Sequence, residues 1–140
     1  MGIKRGLGII TLLFVVMWLV TVVESRSFGI HLENTDPANL PMAIWYISMV
    51  AAGLLSAIGA MWYFKSRKTV PNVKNGFFFG LAINVFGFAG DFLLFFPHQG
   101  GLDIFKKYFT QPMFWLTFVF ILIACTLSGY ISAQRRERGV

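Results

Sequence analysis

Four stretches of this chain are nearly free of charge: Gly6–Val23, Met42–Phe64, Gly76–Phe96 and Pro112–Ser132. Each is about 18 to 23 residues long, the length that takes an α-helix across a hydrocarbon core of ~30 Å. Lipid offers no hydrogen bonds, so a spanning segment must satisfy its backbone as a helix or as part of a closed barrel. A barrel strand needs only ~10 residues and alternates apolar with polar; none of the four runs alternates. The chain therefore reads as all-α: a polytopic membrane protein with four transmembrane helices in an antiparallel bundle, a single domain over 1–140. Only 13% of its residues are charged, against roughly 25% in soluble domains.

The first run follows Lys4 and Arg5, as a signal peptide would. Its apolar stretch is long, however, and the ESRS that follows offers no small-x-small cleavage pattern. It is read as the first spanning helix. Pro112 suits the first turn of the fourth helix, where a missing N–H costs nothing, with Thr110 or Gln111 as cap; Asn39 and Pro41 suit the start of the second. Between the last two runs, Leu102, Phe105, Tyr108 and Phe109 fall at helical spacing. They suggest a short amphipathic helix over 102–109, lying on the membrane surface.

Flanking charge sets the orientation. Lys4, Arg5, Lys65, Arg67, Lys68, Lys74, Arg135, Arg136 and Arg138 fall on one side, and only Arg26, Lys106 and Lys107 on the other, beside Glu24, Glu33, Asp36 and Asp103. The positive-inside rule then places both termini in the cytoplasm. Lys65, Arg67, Lys68, Arg135, Arg136 and Arg138 stand at helix ends, where a bilayer with anionic headgroups is their expected partner. The high pI follows from this asymmetry and is no argument for nucleic acid. Trp45-Tyr46 and Trp62-Tyr63 bracket the second helix about 26 Å apart, the spacing of two interfacial aromatic belts.

Apolar lipid does not drive helices together, so small residues and a few polar contacts must. The third helix carries Gly76, Gly80, Asn84, Gly87 and Asp91 along one face. The second carries Ser48, Ala52, Ser56 and Ala60 at intervals of four, and the fourth has Thr117, Ala124 and Ser128. Gly80, Gly87, Ala52, Ala60, Ala124 and Ser128 are the expected packing positions. Counted inward from one membrane face, Asp91, Ser48, Thr117 and Trp18 lie about five residues deep. Asn84, Ser56, Thr11 and Ala124 lie about twelve deep. These residues are expected to meet in the interior as two polar layers.

Asp91 is the one acid placed inside a span. An ionised aspartate at the bilayer centre costs roughly 2.5–3.5 kcal/mol, and less off-centre. Three roles are open to it: a structural acid bonded to Ser48, Thr117 and the Trp18 indole; a partner of Arg26, His98, Lys106 or Lys107; or a proton or cation site in a transport path. Other chemistry is sparse. His31 and His98 lie outside the spans, which excludes bis-histidine haem ligation within the membrane. Neither His98 with Asp103 nor His31 with Glu33 and Asp36 makes a metal site, which needs three or four ligands. The lone Cys125 is expected to be a small packing residue and cannot form an intramolecular disulfide. No cofactor, metal or catalytic group is expected, and the chain does not read as an enzyme.

Gly80, Asn84, Asp91, Pro97, Tyr108-Phe109 and Gly129-Tyr130 together resemble a group of small bacterial four-helix integral membrane proteins. The resemblance covers the carboxyl half and implies the topology and a prokaryotic inner membrane, with no activity attached. Small multidrug exporters differ in carrying an essential acid in their first helix, where the first run here has none. The sequence thus leads to a non-enzymatic accessory, stabilising or interaction subunit, acting through helix packing with itself or with other membrane protein subunits. The alternative is a small oligomeric transporter, channel or lipid flippase with Asp91 as its proton- or cation-coupling group.

Overall fold

The computed structural model describes residues 2–30, 36–94 and 102–139. His31, Glu33, Pro97, His98 and the end of the third run at Phe96 lie outside the described residues. Five α-helices occur among them: α1 Gly2–Ser27, α2 Met42–Phe64, α3 Val73–Leu94, α4 Leu102–Tyr108 and α5 Pro112–Glu137. All but α4 are long and apolar enough to cross a membrane.

Three helices extend past their uncharged runs, each for a local reason. Helix α1 continues four residues beyond Val23. Gly29, with φ of 65°, then stops it: Gly29 N–H donates to Arg26 O at 3.1 Å and Ile30 N–H to Ser25 O at 2.8 Å. This double bond is the Schellman arrangement, which calls for a left-handed residue that glycine adopts without strain. Helix α3 begins at Val73, before Gly76, because Asn72 caps it; Asn72 Oδ1 accepts the Asn75 N–H at 2.6 Å. Helix α5 runs to Glu137 and so carries Arg135 and Arg136 inside its last turn. Its start at Pro112 has Gln111 in the cap position without a side-chain bond.

Helix α5 is the hub. Its contacts with α2 and α3 are the most extensive in the molecule; α1 packs mainly on α2, and its contact with α3 is thin. Glycine permits the close approaches. A Cβ on Gly76 would meet Cys125 O at 2.5 Å, one on Gly80 would meet Leu122 Cα at 3.2 Å, and one on Gly129 would run into Asn72 O. Ala52 and Ala60 are buried between helices beside Phe64, Phe79, Ile121 and Cys125. Such small-residue contacts replace the hydrophobic drive that lipid cannot supply. One packing expectation, Gly87, and one member of the expected polar layers, Thr11, are corrected. Nothing lies within 4 Å of a Cβ built on Gly87, because the bundle has opened at that level. Thr11 faces outward on α1, its hydroxyl satisfied by its own Leu7 O at 2.8 Å.

One end of the bundle is tied by cations. Arg136 donates to Thr69 O at 2.8 Å, Phe64 O at 2.9 Å and Ser66 O at 3.0 Å, taking up carbonyls that the end of α2 and its following turn leave open. Arg5 donates to Trp62 O at 2.9 Å. Tyr63 stacks on Phe79 with ring centroids 4.7 Å apart, and Phe64 stands 5.2 Å from Tyr63. Of each aromatic pair flanking α2, one ring faces out (Tyr46, Trp62) while the other, Trp45 or Tyr63, packs inward.

Candidate functional site: a two-carboxylate chamber

The opposite end of the bundle encloses a cavity of about 310 Å³. Its walls come from the carboxyl-terminal halves of α1 and α3, the amino-terminal halves of α2 and α5, and Tyr108 and Phe109 at the end of α4. Most of the surface is apolar: Leu13, Phe14, Ile44, Ile83, Phe86 and Phe118 all contribute. Against it stand two carboxylates, Glu24 and Asp91, and among the described residues no lysine or arginine lines the space.

By its position after the first uncharged run, Glu24 reads as a loop residue outside the span. The four extra residues of α1 instead bring it inside the bundle, where it is only 8% exposed. Its Oε2 accepts the Ser48 hydroxyl at 2.7 Å. Its Oε1 is buried and, among the described residues, has no hydrogen-bond partner. A buried acceptor left unmet costs about 1–3 kcal/mol, and more when charged, so the protein holds a destabilising group on the wall of this chamber. The signal for it was present in the sequence: nothing between Val23 and Gly29 breaks a helix.

The anticipated polar cluster is distributed as follows. Asp91, Ser48, Thr117 and Trp18 all line the chamber, as do Asn84 and Ser56 deeper in. Their bonds differ from those expected. Ser48 donates to Glu24, not to Asp91. Thr117 turns back to its own Met113 O at 2.9 Å, the i−4 bond open to any helical hydroxyl. Asn84 Nδ2 donates to Phe118 O at 3.2 Å and so joins α3 to α5. Ser128 lies away from the chamber, where its hydroxyl donates to Ala124 O at 2.8 Å and reaches Ala57 O at 3.3 Å. Ala124 is half-buried and does not reach the cavity. Ser56 is buried, and its carbonyl lies 3.6 Å from the Cys125 thiol, which donates to it.

Asp91 is exposed on the chamber wall; among the described residues no hydrogen bond or ion pair reaches it. Burial, and next the Asp91 charge, push the Tyr108 phenol up to about 12, so Tyr108 stays protonated beside the acid. The bases considered for Asp91 go elsewhere or stay outside. Lys107 pairs with Asp36 at 2.7 Å, holding α4 against the 3₁₀ turn at Pro37–Asn39. Arg26 and Lys106 are exposed and off the chamber wall. Trp45 meets Tyr108 edge-on at 6.1 Å, and Trp115 Nε1 donates to Phe109 O at 2.8 Å. Helix α4 thus forms part of the chamber. Among the described residues no three His, Cys, Asp or Glu side chains group to hold a metal ion.

Of the residues assigned to headgroups, Arg136 is instead committed to backbone carbonyls, while Lys65, Arg67, Arg135 and Arg138 are exposed. Fold and site together define a helical chain with four helices able to cross a membrane and an acidic, apolar-walled chamber at one end. Comparison with protein-family models, curated proteins and solved structures gives no match.

Proposed function

We propose that this chain is a non-enzymatic integral membrane protein, a small cation-binding carrier whose working part is the chamber bearing Glu24 and Asp91. The observation that carries the reading is Glu24: a carboxylate brought into an apolar interior, with one oxygen unmet, facing the same hollow as a second acid. Intramembrane acids are costly and by default functional. Two of them, with no base on the wall among the described residues, make the chamber attractive to positive charge.

The basic residues Lys4, Arg5, Lys65, Arg67, Lys68, Lys74, Arg135, Arg136 and Arg138 support an antiparallel topology with both termini in the cytoplasm of a bacterial inner membrane, beside anionic headgroups. The contacts of Arg5 and Arg136 with the end of α2 agree with that order. In this orientation the chamber faces the outer side, and the Tyr63, Phe64 and Phe79 rings close the inner side. Four helices leave little room below the chamber for passage, so the carrier is proposed to work as an oligomer. Gly76, Gly80, Gly129, Ala52 and Ala60 are taken up in contacts within the chain.

Proteoliposomes on a solid-supported membrane test this reading. Currents evoked by inorganic or organic cations, present in the native protein and abolished in a Glu24→Gln/Asp91→Asn double variant, support it. The absence of current with every cation overturns carriage.

A further inference from the structure

We infer that the chamber takes a small primary ammonium ion with an apolar body, held by N–H donation to Glu24 and Asp91. This deepens the carrier reading and rests on the chamber being the working site. Three observations narrow the ligand.

The first is the unmet acceptor. Glu24 Oε2 is occupied by the Ser48 hydroxyl, while Oε1 has no partner. A ligand that completes this site must bring a donor. A protonated amine has N–H groups to give; a quaternary ammonium carries the same charge and has none. The binding gain should therefore come from a charge-assisted hydrogen bond, which is shorter and about twice as strong as a neutral one. Loss of that donor leaves a buried acceptor unpaired, which is how polar sites reject close analogues.

The second is the composition of the wall. A dehydrated metal ion needs a shell of several oxygen ligands, and most of this surface is hydrocarbon and aromatic ring. Phe14, Phe86, Phe88 and Phe118 offer ring surface to an apolar substituent, and aromatic faces also attract a cation. Two acids in such a wall suit a molecule with one charged end and one greasy end. The third is size. About 310 Å³ stands at the lower end of the ~300–1,000 Å³ range of ligand pockets, so the occupant is small. Tyr108 lines the same wall as Asp91.

The test uses the full chain in nanodiscs, with empty nanodiscs as the partition blank. The probes are 2-phenylethylamine, its trimethylated quaternary analogue and 3-phenylpropionate, and the readouts are calorimetry and the fluorescence of Trp18 and Trp45. The amine is expected to bind saturably, the quaternary analogue at least about tenfold more weakly, and the anion not at all. Glu24→Gln is expected to weaken the amine at least about tenfold while weakening the quaternary analogue much less. Asp91→Asn is expected to weaken both cations, and the amine more, because it loses a charge-assisted hydrogen bond as well as the charge. A carboxylate infrared band lost in Glu24→Gln and shifted by the amine in the native protein provides a readout that misfolding cannot mimic.

Equal binding of the amine and its quaternary analogue overturns the inference, as does no saturable binding or no infrared shift. If the amine binds in nanodiscs but no cation drives current in proteoliposomes, the ligand class stands and carriage fails. If some other cation drives current and the amine does not bind, carriage stands and the ligand class fails.

Discussion

The two ends of the bundle are built to opposite rules. Where α2 ends, the polar groups are nearly all matched: Arg136 serves three carbonyls, Arg5 a fourth, and Thr69 Oγ1 bonds back to Tyr63 O at 3.0 Å and Ser66 O at 2.9 Å. Glycines bring α3 against α5, and aromatic rings fill what remains. At the α4 end the helices part, Gly87 has no neighbour for a Cβ, and one oxygen of a buried carboxylate lacks a partner among the described residues. Stability is concentrated at one end and chemical potential at the other. Binding sites are drawn from the less stable parts of a structure because they must accommodate what comes and goes.

Substitutions that reverse this division should show the largest effects first. Gly129→Ala sets a methyl against the Asn72 carbonyl, and Gly76→Ala sets one against Cys125 O; backbone cannot swing aside, and overpacking costs about 1–3 kcal/mol. Gly87→Ala, on the chamber wall, should change stability by less than ~0.5 kcal/mol. Unfolding of the three variants in mixed micelles measures the contrast, and an equal loss at all three positions would abolish it. Next comes Arg136→Ala, which leaves three carbonyls to water and headgroups. A loss of about 1.5–3 kcal/mol is expected, the range for hydrogen bonds to charged groups; Arg135→Ala should cost almost nothing.

Glu24→Leu should act in the opposite sense. Replacing an incompletely satisfied buried carboxylate by an apolar side chain is often neutral or stabilising, so the melting temperature should hold or rise as cation binding disappears. Such a variant would exhibit the trade between stability and function common at built sites; a marked fall in melting temperature would show that Glu24 holds the fold. The smallest effect belongs to Asp36. The Lys107 side chain, with help from the Ala38 N–H, holds its carboxyl below the usual value of 3.8. A lowered folded-state value means the contribution is present above 3.8 and disappears as pH falls through the folded value. NMR titration of Asp36 should show this shift and its relaxation toward 3.8 in Lys107→Met.

Much of the fold was legible. Helix α2 occupies the range 42–64 that the uncharged run marks, and α5 starts at Pro112. Apolar length is a strong signal because lipid demands it. Charge does not mark the helix ends. Arg135 and Arg136 continue α5, and Glu24 continues α1, because a helix ends where its backbone bonds are capped or broken; Gly29, not Glu24, does that. The chamber was half legible for the same reason. Depth counting placed Asp91 with Ser48, Thr117 and Trp18, and all four line the cavity. Depth cannot say whether a hydroxyl reaches across or folds back. Thr11, Thr117 and Ser128 bond to their own helices at short range, an option that every helical serine and threonine has.

The position of α5 as hub also has a consequence in time. Contacts between α2 and α3 are few, although the two are neighbours in the chain. When a ribosome feeds such helices into a membrane in order, α1 can pack on α2, while α3 waits beside them with little to hold it. Only the arrival of α5 supplies the surface that gathers α2 and α3. Assembly is therefore completed only late in synthesis, and a nascent chain stalled before Pro112 would offer quality control an α1–α2 pair and a loosely held α3 instead of a closed bundle.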